Sequence, residues 1–139
     1  MTAQAASSAI LVRDGRLLLI RRMNPPSHDM FAFPGGRAEA GETPEATALR
    51  EFEEETGISA RAPRLFATYD LVSEQPASHF FLSVFLIEAD IDAIAEAGDD
   101  AADAGWYTPA EIRRLHAPPS VIECADRIAR ELLGDDGEG

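Results

Sequence analysis

The chain has 139 residues, 45% of them hydrophobic and 27% charged, with a formal net charge of −13 at pH 7. That length suits one domain able to bury roughly 65–70% of its unfolded surface without a disulfide or a structural metal. The acidity argues against a nucleic-acid partner, no apolar run has membrane-spanning length, and no basic region precedes an apolar one in residues 1–8, so a cytoplasmic location is expected.

In chain order, Ala9–Val12 and Leu17–Ile20 are apolar runs joined through Arg13-Asp14-Gly15-Arg16. Asp-Gly is a strong two-residue turn signal, so these runs are expected to form a β-hairpin. Residues 23–30 hold two prolines and several turn formers and predict a surface loop, followed by a short strand at Phe31-Ala32-Phe33 that Pro34-Gly35-Gly36 ends. Thr43-Pro44 reads as an N-cap and first helical residue, Glu45 favours the first turn, and Gly57 suits a left-handed stop; a helix over 44–56 is expected.

Arg64–Val72 and His79–Ala89 read as strands flanking a turn at 73–78. Residues 80–87 are apolar almost without interruption, which suits a strand covered on both faces. Residues 92–104 predict an acidic loop with one short helical turn, then a brief strand at Trp106-Tyr107. Thr108-Pro109 repeats the cap signal for a short helix to Leu115. After Pro118-Pro119-Ser120, Val121, Ala125, Ile128 and Leu132 share one face of a last helix. Cys124, the single cysteine, fits a small buried side chain, and residues 134–139 are expected to fray. No repeat, linker or second domain is visible, so residues 1–139 are read as one domain.

The segment that carries chemistry is 36–58. Glu51, Glu54 and Glu55 occupy one arc of the predicted helix, and Leu49, Phe52 and Thr56 another. Like charges at this spacing cost a few tenths of a kcal/mol per pair, about 0.2–0.5. A bound hard cation would remove that penalty, and it would also reconcile an acidic protein with an anionic substrate. A glutamate cluster alone is more often a solvated face. Here, however, Gly36, Glu42, Arg50, Glu51, Phe52, Glu54, Glu55, Gly57 and Ile58 reproduce a long pattern: Gly, five residues, Glu, seven residues, then Arg-Glu-apolar-any-Glu-Glu-any-Gly-apolar. By chance it would arise about once in 10⁹ to 10¹⁰ start positions.

In this pattern the chain resembles the Nudix hydrolases. The resemblance extends through Phe33-Pro34-Gly35-Gly36 and the preceding hairpin, and more loosely through Trp106–Thr108. It implies an α/β/α sandwich around a mixed β-sheet, with the motif helix on one face and the C-terminal helix on the other. It implies hydrolysis of a phosphoanhydride bond in a nucleoside diphosphate linked to a moiety X, dependent on Mg²⁺ or Mn²⁺. Carried over residue by residue, it makes Glu51, Glu54 and Glu55 metal ligands or water activators, with Glu54 favoured as base, and Gly36 a carbonyl ligand. Arg50 would orient a ligand carboxylate, and Glu42 would brace the loop against the helix. Some relatives take the base from a later loop; Asp99, Asp100 and Asp103 are the candidates here, although an acidic solvated loop is the more ordinary reading of each.

Arg21 and Arg22 are candidates for phosphate or base contacts, and as strand neighbours they point to opposite faces. Phe31, Phe33, Trp106 and Tyr107 are candidates for a base-stacking wall, each more often core. His28, His79 and His116 lack metal-ligand spacing and receive no role. Length, the loop before Phe31 and residues 98–106 look most like small bacterial Nudix proteins labelled ADP-ribose pyrophosphatases, so ADP-ribose or a related nucleotide sugar is the expected substrate. The alternative is sanitation of oxidised or non-standard nucleoside triphosphates, and a third reading is a silent nucleotide-binding domain. Monomer and homodimer are both compatible with the sequence.

Overall fold

The computed structural model of the chain describes residues 3–23, 29–74, 77–98 and 101–134. The expected frayed tail, apart from Gly134, and the core of the expected loop at 23–30 lie outside them. Among the described residues eleven elements follow in order: β1 (Gln4–Ile10), β2 (Val12–Arg13), β3 (Arg16–Arg22), β4 (Phe31–Ala32), β5 (Gly35–Arg37), α1 (Pro44–Thr56), β6 (Arg61–Glu74), β7 (Ala77–Glu88), β8 (Ala101–Tyr107), α2 (Pro109–Ile112) and α3 (Pro119–Glu131).

The strands form two sheets. One is mixed, in the order β5-β1-β7-β6, with β1 parallel to β7 and antiparallel to β5. In the other, β2, β4 and β8 each pair antiparallel with β3. Alternation along the strands feeds two apolar layers. Ile10, Leu17, Leu19 and Val84 pack with Ile112, Val121, Cys124, Ala125 and Ile128 of α2 and α3. Ala9, Leu11, Leu18, Phe85 and Ile87 pack with Ala48 and Phe52 of α1. The result is the expected α/β/α arrangement, with α1 on one side and α3 on the other.

α1 matches the expected span because its ends are chemically specified. Thr43 Oγ1 accepts from the Ala46 amide at 3.1 Å, Pro44 opens the helix, and Gly57 at φ 75° donates its amide to Glu53 O at 2.8 Å. Phe52 is fully buried beneath it. α2 is tied at its start by a reciprocal Thr108–Glu111 capping box.

Four expectations are corrected. The hairpin is narrower: the Asp14-Gly15 turn, with both residues in the left-handed region, joins β2 to β3. Ala9 and Ile10 belong instead to β1, and the chain changes sheets at Leu11. The 92–104 loop is shorter, because residues from 101 onward form β8 against residues 17–22 of β3. β7 is covered on both faces only in its C-terminal half; Phe81 is 46% exposed where the β6–β7 hairpin runs beyond the helices. Leu132 follows the end of α3 and is exposed, and Cys124 and Ala129 complete the packed face in its place. Among the described residues no helix is long and apolar enough to cross a membrane.

Candidate active site

The site is built where α1 passes the edge strand β5. Arg50 organises it. Its Nε and Nη2 donate to the two carboxylate oxygens of Glu42 at 2.7 and 2.9 Å, a fork-to-fork pairing that holds the 38–43 loop against the helix. Nη2 also donates to the Arg37 carbonyl at 3.0 Å. Nη1 donates to Glu51 Oε1 at 2.7 Å and lies 3.3 Å from both oxygens of Glu54. One guanidinium therefore joins the loop, the edge strand and two motif carboxylates.

The electrostatics follow from this pairing. The guanidinium, with help from the Glu39 amide and the Thr47 hydroxyl, holds Glu42 down to a pKa of about 2. Glu51 is pushed above the ordinary carboxylate range by desolvation, against the opposing pull of Arg50 and, farther off, Arg22. Arg50 itself is held firmly charged, chiefly by Glu42.

Glu55 is buried, and its Oε2 accepts from the Gly35 amide at 2.9 Å, fixing the helix to the start of β5. Gly36 is required by contact: a Cβ there would lie 2.5 Å from the Glu51 carboxylate carbon. Gly35 is required by a backbone approach, since its Cβ would stand 2.3 Å from Ser7 O. Behind α1, the Gly98 amide donates to Glu55 O and the Glu96 amide to Thr56 O, so the loop after β7 is seated on the helix end.

Among the described residues no three carboxylate, histidine or cysteine side chains stand gathered as a metal cage. The donors nevertheless suit a hard cation. Glu51 and Glu54 converge on one positive charge, the Nη1 of Arg50, and the missing side chain at Gly36 leaves Glu51 its position. All available donors are oxygens, the preference of Mg²⁺ and Mn²⁺.

Beside Gly36 a cavity of about 460 Å³ opens beneath β1 and β7, within the usual range for a small-molecule site. Arg22 lines it. Arg21 does not; its guanidinium pairs with Asp29 Oδ1 at 2.8 Å. Phe31, expected at a substrate wall, is also absent from the lining: its ring meets Tyr107 edge-on at 5.5 Å and packs on the α3-side core. Trp106 lies under Arg13 in a cation–π contact, and of the four aromatic candidates only Phe33 reaches the cavity. Asp103 is an exposed residue of β8, opposite Arg21, where its side chain accepts from the Ala104 amide. Asp99 and Asp100 lie outside the described residues.

The family model described as the NUDIX domain matches residues 1–130. The chain belongs to the Nudix family. An ADP-ribose pyrophosphatase of Methanocaldococcus jannaschii is 37% identical over 102 residues, covering 73% of this chain; the chain spans 60% of that protein's length. An 8-oxo-dGTP diphosphatase of Haemophilus influenzae is 30% identical over 81% of this chain and 88% of its own. The crystal structure of a MutT NUDIX hydrolase from Burkholderia pseudomallei superposes with a TM-score of 0.83, covering 92% of this chain and 99% of that one at 24% identity, a likeness of fold.

Within this Nudix domain, sequence reasoning missed Arg37, Phe80, Ser8 and Ser120, all on the cavity wall. Arg37 could have been found from its place next to Gly36. Phe80 could not, because its approach depends on the parallel pairing of β1 with β7.

Proposed function

We propose that the chain is a divalent-metal-dependent pyrophosphohydrolase that cleaves a nucleoside diphosphate linked to X, with ADP-ribose or a related nucleotide sugar as its substrate. The observation that carries this reading is the convergence of Glu51 and Glu54 on the Arg50 guanidinium, with Glu51 against Gly36, which also lines the cavity. Glu51, Glu54, Glu55 and the Gly36 carbonyl would hold Mg²⁺ or Mn²⁺, which when bound supplies charge neutralisation at the diphosphate and a more acidic water.

The remaining steps belong to the chain. The new bond forms between a water oxygen and phosphorus, and the bridging P–O bond breaks, so that the phosphate on the far side leaves with the electron pair. Glu54, the most exposed of the three motif carboxylates, takes the proton from the attacking water. Arg50 positions Glu51 and Glu54 without touching substrate. Arg22, at the cavity wall, is the cation placed to meet the phosphates. Asp99 and Asp100, which follow the Gly98 seated on α1, and Asp103 are the alternative bases.

Among the substrates that the relatives' names give, which also include RNA and NAD-capped RNA, the two small molecules are ADP-ribose and 8-oxo-dGTP. ADP-ribose is preferred because the more identical of the two relatives reported carries that name, in agreement with the reading of the sequence. Chromatography of products after incubation with each compound and Mg²⁺ decides between them. AMP and ribose 5-phosphate from ADP-ribose at the higher kcat/KM supports the proposal; faster conversion of 8-oxo-dGTP to its monophosphate replaces it with the sanitation reading. Nucleotide binding with no turnover of any diphosphate would instead make the domain a binding module.

A further inference from the structure

The cavity beneath β1 and β7 is chemically one-sided. Its deep wall is apolar, including Val84, Val121 and Cys124, and its outer wall carries Phe80 with the Arg37 guanidinium stacked 5.5 Å from the ring centroid. These two residues come together across β1: Arg37 pairs with Ala6, Phe80 with Gln4, and the small Ala6 side chain between them leaves the space open. Among the described residues no carboxylate and no carboxamide lines the cavity. The whole sequence holds three carboxamides, Gln4, Asn24 and Gln75; Gln4 is exposed, and the other two lie outside the described residues.

A site that separates adenine from guanine through its side chains needs polar groups of fixed sense, because the two bases exchange donor for acceptor along one edge. Serine hydroxyls rotate to donate or accept, so Ser8 and Ser120 suit either base. Arg22 lies on the side of Glu51, where phosphates belong, and Arg37 is stacked on Phe80.

We propose that this cavity is the nucleoside subsite, that Phe80 backed by Arg37 is its stacking wall, and that it accepts adenine, guanine and uracil nearly alike. Selectivity then lies in the diphosphate and in X. This rests on the hydrolase reading for its meaning but not for its test. Sites built to hydrogen-bond a substrate reject the wrong partner by about 10⁴–10⁵, whereas an apolar wall discriminates by about 10–200-fold.

The test has two arms. Binding of AMP, GMP and UMP is measured by titration calorimetry in EDTA, where no turnover contributes; kcat/KM is measured for ADP-, GDP- and UDP-glucose, which share one X. The expected dissociation constants agree within about tenfold, and Phe80→Ala weakens all three by a common factor of about 5–100, the range for losing a base-stacking ring. Phe80→Trp should restore binding, which separates stacking from a folding defect, and Arg37→Ala should give a smaller loss of the same kind. A preference of more than 100-fold for one base, no binding of any monophosphate, or an unchanged affinity in folded Phe80→Ala overturns the inference. Binding of all three monophosphates with no hydrolysis of ADP-ribose or of any of these sugar nucleotides removes the nucleotide-sugar hydrolase reading and leaves the subsite standing.

Discussion

Glu51 sits against a glycine that cannot become alanine without moving it. Gly36→Ala places a carbon 2.5 Å from a carboxylate at the end of a flexible side chain, so the fold accommodates it and the site does not. Activity should fall about 10- to 100-fold, the range for misplaced metal-ligand support, while the melting temperature stays near wild type. Glu42 offers a different signature. Its pKa of about 2, against 4.5 for an ordinary glutamate, means the Glu42–Arg50 pair stabilises the native state fully above pH 4.5, and that this contribution is lost as pH falls toward 2. Thermal unfolding from pH 6 to pH 2 should therefore decline less steeply in Glu42→Gln than in wild type, and parallel curves would show that the pairing does not differ between the folded and unfolded states. The motif glutamates and Arg50 were legible because they share one helix and one spacing. The opposite fates of Arg21 and Arg22 followed from strand alternation. That Phe31 would turn to Tyr107, and Phe80 to the cavity, depended on contacts between residues distant in sequence.

The two glycines of β5 separate stability from chemistry at the level of elements. Gly35→Ala drives a carbon against the Ser7 carbonyl, a backbone atom that cannot swing aside, so the β5–β1 pairing must open. A loss of about 1–3 kcal/mol in denaturant unfolding is expected, the scale of an overpacked contact. Gly57→Ala, at φ 75° and with no neighbour in reach, should cost about 1 kcal/mol through backbone strain alone. If Gly35→Ala is no more costly than Gly57→Ala, the edge strand is looser than its geometry implies. α1 could be read from sequence to the residue because its cap, proline and stop are all local. The first hairpin could not be bounded, since Ala9 and Ile10 are as apolar as a hairpin arm requires and only their partners, Phe85 and Leu86 of β7, assign them to the other sheet. β8 was missed over residues 101–105 because Ala, Asp and Gly have low strand propensity; pairing with β3 overrides it.

For the whole molecule, a net charge of −13 and an anionic substrate are compatible only through local positive charge. Arg22 and Arg37 supply part of it at the cavity, and a divalent cation held by the motif glutamates would supply the rest. The layered architecture was legible because two helices, each with one apolar face, flank strands that carry apolar residues on both faces. The division into two sheets was not, since β-pairing partners are set by tertiary contacts rather than by pattern. The decisive measurement is ADP-ribose hydrolysis by wild type and Glu54→Gln, with Mg²⁺ and with EDTA. Wild type should release AMP and ribose 5-phosphate, with release abolished by EDTA and lowered by about 10² or more in a folded Glu54→Gln, the scale for losing a general base. Turnover that survives EDTA, or a Glu54→Gln variant as fast as wild type, would contradict this mechanism.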